Sequence, residues 1–80
     1  IMQIQEYDLV ALTEDVSAIH KDTKQPILLR RGQIGTVLMN FEEQACLVDF
    51  ADAQGVTYAM ETVPASQLLV LLQEPEVLSV

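Results

Sequence analysis

The chain has 80 residues, half of them apolar, and a formal net charge of −8 from twelve acidic and four basic side chains. A chain this short buries only about 60% of its unfolded surface, which leaves little room for a deep catalytic cleft, and its apolar share is too high for disorder. The acidic balance opposes binding to phosphate backbones and to anionic membrane surfaces.

Along the chain, Leu9, Val10 and Leu12 mark a first short strand, with Tyr7 at its start and the polar Glu14-Asp15 after it. Ser17 to Pro26 is too polar for a core strand and ends in a proline, so it reads as a long loop with at most partial pairing. Ile27, Leu28 and Leu29 return apolar side chains to the body, and Arg30-Arg31-Gly32 makes a charged turn. Ile34 to Phe41 is the clearest strand: Val37, Met39 and Phe41 alternate with Leu38 and Asn40.

Glu42-Glu43-Gln44 is a polar hairpin connection. Ala45 to Phe50 follows as a strand with Cys46, Val48 and Phe50 on one face. Ala51 to Gly55 turns the chain, and Val56 to Val63 is the third strand of the meander. Pro64-Ala65-Ser66-Gln67 fits a single 3₁₀ turn. Leu68 to Leu72 is a last strand, apolar at every position, and Pro75 stops it. The expected core joins Cys46, Val48 and Phe50 to Val37, Met39 and Leu68. Gly32 or Gly35 is expected where a Cβ would disturb a turn or a close approach.

Several short strands with polar turns argue an all-β barrel or sandwich. Closing about five strands into a small barrel, with a 3₁₀ turn before the last one, removes most exposed edges. The whole chain, 1–80, reads as one domain with its core at 7–72 and a C-terminal tail at 73–80. Leu29-Arg30-Arg31-Gly32-Gln33-Ile34-Gly35-Thr36-Val37 supports this architecture, together with Asp8 to Thr13, Val48-Asp49-Phe50 and Ala65-Ser66-Gln67-Leu68. With these elements the chain resembles, over roughly 7–71, the small bacterial family catalogued as domain of unknown function 4926. The resemblance implies that the barrel is a small SH3-like one and carries no catalytic group. Proline-binding SH3 domains read their ligand with an aromatic groove. This chain has no Trp and no aromatic cluster in the long loop, and so departs from them.

The residues offer little chemistry. His20 is the sole histidine and reads as a solvated loop residue, without the nucleophile and orienting partner that a catalytic base needs. Cys46 is the sole cysteine, which excludes an internal disulfide, and its apolar neighbours point to a buried thiol. Asp49, Asp52, Glu42 and Glu43 lack EF-hand spacing, and Gly32 and Gly35 are not followed by the Lys-Ser/Thr of a phosphate loop. No enzyme, cofactor, metal site or small-molecule substrate is expected. The start of the chain shows no basic, apolar leader and no run approaches a membrane span, so a reducing cytoplasm is the default compartment.

Two surfaces carry functional expectations. Lys21, Lys24, Arg30 and Arg31 are all the basic residues and lie in one segment, a candidate basic patch. If Leu68, Val70 and Leu72 face inward, Leu69 and Leu71 face outward; with Val77 and Leu78 they form a candidate interaction surface, covered by the tail or by another protein. The leading reading is a small non-catalytic protein–protein interaction or accessory module, acting on a protein partner or on itself. The alternative is a nucleic-acid-associated barrel using the Lys21–Arg31 segment. The charge balance speaks against nucleic acid and membrane partners.

Overall fold

The structure, a computed structural model, describes residues 3–79; Ile1, Met2 and Val80, the ends of the expected domain, lie outside the described residues. Among the described residues seven strands form, in chain order: β1 Leu9–Leu12, β2 Val16–Ile19, β3 Pro26–Leu29, β4 Ile34–Phe41, β5 Ala45–Ala51, β6 Thr57–Pro64 and β7 Leu68–Val70. The 3₁₀ turn stands at Ala65–Gln67, directly before β7, as the sequence implies. No described helix is long and apolar enough to cross a membrane.

Five strands make an antiparallel sheet in the order β6-β5-β4-β1-β7, and β2 and β3 pair separately. The fold is all-β, but the expected barrel is not closed: β6 and β7 stand at opposite edges of the larger sheet.

The expected long loop is mostly a hairpin. Ser17 pairs with Leu28, Ala18 with Ile27 and Ile19 with Pro26. Proline is tolerated at the first position of a strand, where its missing N–H breaks no ladder. Strand periodicity then explains the polar sequence. Val16, Ala18, Ile27 and Leu29 face inward and are buried or half-buried, while Ser17, Ile19, Pro26 and Leu28 face outward and are exposed. One apolar face suffices to lay the hairpin over the core.

That core consists of Val10, Leu12, Ala18, Leu29, Val37, Cys46, Val48, Phe50, Ala59 and Val63, with Leu68 and Val70 packed partly against it. The expected inward set holds except for Met39, which is 49% exposed. The cause is a bulge. The β4–β5 register shifts between Val37 and Met39, so Leu38 is the extra residue. A one-residue insertion reverses which positions face inward. Beyond it, Asn40 is half-buried and Met39 and Phe41 are exposed.

A second irregularity, between Phe50 and Ala51, inserts Tyr58 into β6. Tyr58 C=O accepts the Lys21 N–H at 2.8 Å, which ties the hairpin to the sheet. Tyr58 Oη also accepts from Gln33 Nε2.

Candidate functional site

β7 is three residues long and lies at the sheet edge, paired only with β1. Thr13 N–H donates to Gln67 C=O at 2.9 Å, and Leu71 N–H to Leu9 C=O at 2.8 Å. Ala11 pairs with Leu69 between them. In an antiparallel ladder, alternate residues turn their backbone groups to the same neighbour. Residues 67, 69 and 71 therefore face β1, and Leu68 and Val70 turn the other way. Leu68 N–H closes the 3₁₀ turn onto Ala65 C=O. Leu68 C=O and both backbone groups of Val70 then point along the open side of β7. They have no backbone partner among the described residues.

A groove of about 390 Å³ runs beside this edge, lined by Ile4, Asn40, Glu43, Leu68, Leu69 and Val70, with Gln3 and Ala65 at its margins. Three elements build it. Asn40, turned inward by the bulge, donates from Nδ2 to Ile4 C=O at 2.6 Å and holds the N-terminal segment against β4. Its Oδ1 accepts the Glu43 N–H at 2.9 Å and so fixes the β4–β5 turn. In that turn Gln44 N–H bonds Phe41 C=O at 3.0 Å. Both central residues sit in left-handed backbone, Glu42 at φ 54° and Glu43 at φ 62°. The turn places Glu43 among the residues that line the groove, none of which is a lysine or arginine.

The four expected surface residues part company here. Leu69 is 56% exposed at the groove. Leu71 is half-buried, its N–H bonded to β1 beyond the end of β7. Val77 and Leu78 are 90% and 83% exposed. Leu72, expected to face inward, is 68% exposed, because β7 ends at Val70 and the alternation ends with it. Sequence reasoning found Leu69 and missed Ile4, Asn40 and Glu43. No local pattern joins those three; only the bulge and the turn do.

The basic residues divide between two turns. Lys21 and Lys24 lie in the β2–β3 turn, where Lys24 Nζ donates to Lys21 C=O at 2.6 Å and Lys21 Nζ meets Asp22 Oδ1 at 3.3 Å. Arg30 and Arg31 lie in the β3–β4 turn, where Arg31 N–H donates to Asp15 Oδ1 at 2.8 Å. The whole of β3 separates the two turns, a chain distance from Lys24 to Arg30 of about 20 Å at strand rise.

His20 serves its own turn: Nδ1 accepts the N–H groups of Asp22 and Thr23 at 3.2 and 3.3 Å. Cys46 is fully buried, and burial, with the nearby Asp8 carboxylate, pushes its thiol above the ordinary value of 9.0. Both effects disfavour the thiolate and with it nucleophilic reactivity.

No curated protein and no solved structure matches the chain. The family model described as "Domain of unknown function (DUF4926)" matches residues 6–70, a span that begins just before β1 and ends on the last residue of β7. Since that match takes in both sheets and every strand, the chain belongs to the DUF4926 family.

Proposed function

We propose that this domain is a small non-catalytic interaction module, accessory to a protein partner that it engages along β7. One observation carries the reading: β7 combines backbone groups that have no backbone partner among the described residues, the exposed Leu69 and an adjoining apolar groove. Bare strand edges invite pairing with another chain, and proteins ordinarily cover, bend or charge them. At the opposite edge the β2–β3 hairpin touches β6 at two points. Lys21 N–H bonds Tyr58 C=O on β6, and Ile19 N–H bonds the Glu61 carboxylate at 3.2 Å. The β7 edge lies beside an apolar groove, which fits a docking role.

The test is a photo-crosslinking phenylalanine analogue in place of Leu69, introduced in the cells that make the protein. The control is the same analogue in place of Val56, which is 58% exposed before β6. A discrete protein adduct at position 69 and none at 56 is the expected result. No adduct at 69, equal adducts at both sites, or a nucleic-acid adduct refutes the proposal.

A further inference from the structure

Resting on that reading, we infer that the partner presents to β7 an extended segment carrying lysine or arginine, which pairs with β7 as an added strand. Leu68 C=O, Val70 N–H and Val70 C=O recur at strand spacing along the open edge, which is what a sixth strand would bond. The side chains of such a strand alternate between two faces. On one face they would meet the half-buried Ile4, Leu68 and Val70; on the other, the exposed Leu69.

Charge selects the occupant. Glu43 is the one charged side chain among the groove's lining residues, and Glu42 stands beside it in the turn. Glu74 and Glu76 follow β7 in the chain. Every lysine and arginine lies between positions 21 and 31, in the hairpin and the turn after it. A second copy of the chain would bring the same net charge of −8 and the same Glu43 to the contact. Like charges at an interface are costly, whereas a cationic strand is attracted and oriented.

The inference is tested by titrating the isotope-labelled full chain with synthetic peptides and following backbone amides by NMR, in about 0.15 M salt so that long-range attraction is screened. One peptide alternates valine with lysine, a second valine with glutamate, and a third is the lysine peptide with its central valine replaced by proline. The lysine peptide is expected to shift the amides of Leu68–Val70 and to slow hydrogen exchange at Val70. The glutamate peptide should bind about tenfold more weakly, as should the proline peptide, which lacks a ladder N–H. Glu43→Gln should reduce the preference for lysine over glutamate several-fold while leaving the spectrum of the free domain unchanged outside its turn.

Equal binding of the lysine and glutamate peptides at β7 overturns the basic partner and leaves the docking reading standing. So does a dimer in sedimentation whose contact maps to β7, which replaces the partner with a second copy. If no peptide reaches β7 while the Leu69 crosslink still forms, strand addition is wrong. If that crosslink is missing too, the reading beneath it falls.

Discussion

Replacing Gly35 with alanine puts a methyl group against Val48, Asp49 and Phe50 of β5. An ideal Cβ there would lie 2.5 Å from Val48 Cγ1, 3.0 Å from Phe50 Cε1 and 3.1 Å from the Asp49 carbonyl oxygen. None of the three can yield easily. Val48 and Phe50 are 0% exposed and enclosed on all sides, and the third atom is backbone. Overpacking of this kind costs about 1–3 kcal/mol. The gain from a less flexible unfolded chain returns only about 0.4–1 kcal/mol. With the shortest contact well inside van der Waals range, the net loss should be about 2 kcal/mol. For a domain this small that lowers Tm by roughly 8–16 °C.

Urea denaturation followed by far-UV circular dichroism measures the loss, with an unchanged slope showing that the unfolded state is not altered. Gly32→Ala is the contrast. Gly32 has φ +91° and no atom within 4 Å of its added Cβ, so its cost is conformational alone, about 1 kcal/mol. Val48→Ala removes the nearest obstacle. Combined with Gly35→Ala it should cost at least about 1 kcal/mol less than the sum of the two single changes, while combined with Gly32→Ala the costs should add. An unchanged midpoint for Gly35→Ala refutes the close approach. Additivity with Val48→Ala refutes the identity of the obstacle.

Four further outcomes are expected. Phe50→Ala empties the largest fully buried side chain and should cost about 3–5 kcal/mol, leaving the domain largely unfolded at 37 °C by circular dichroism. Cys46 should resist a thiol reagent until urea unfolds the chain. Because its folded thiol titrates above 9.0, the unfolded state loses that proton first, so stability should fall as pH rises past 9.0, more steeply than in Cys46→Ala. Glu43→Gly should raise stability by about 1 kcal/mol by relieving a left-handed conformation, a gain that a denaturation midpoint reads directly. Duplex DNA should not bind at about 0.15 M salt in a filter assay; micromolar binding lost on neutralising Lys21, Lys24, Arg30 and Arg31 would reverse the ranking of partners.

Much of the large sheet was legible because its strands obey simple alternation. Cys46, Val48 and Phe50 declare an inward face, and all three are fully buried. Met39 misled because Val37, Leu38, Met39 and Phe41 are all apolar, so the sequence shows no trace of where the alternation reverses. The β2–β3 hairpin was hidden for another reason. Its inner face needs only Val16, Ala18, Ile27 and Leu29, and the residues between them meet solvent. The last strand was visible as five apolar residues, but uniform hydrophobicity does not mark an end, and Leu72 lies beyond it. Of the groove, Leu69 was visible from its parity. Ile4, Asn40 and Glu43 were not, because they come from separate parts of the chain and meet only in three dimensions.

The two bulges shape both edges of the sheet. Inserting Tyr58 frees a carbonyl of β6 from its ladder, and the hairpin bonds to it through Lys21, which anchors the hairpin at that edge. Inserting Leu38 turns Asn40 inward, and the Asn40 amide fixes both Ile4 and Glu43 near β7, whose outer backbone groups have no backbone partner among the described residues. A turn of asparagine and glycine would suit the backbone better than Glu42-Glu43, since both residues stand at positive φ. Glycine at position 43 would keep the N–H that Asn40 accepts and remove the carboxylate from the groove. The conformational penalty of Glu43 therefore has no structural return that a glycine would not also give. What it adds is a negative charge beside the outer edge of β7, and a cationic strand is the kind of ligand that would make use of both.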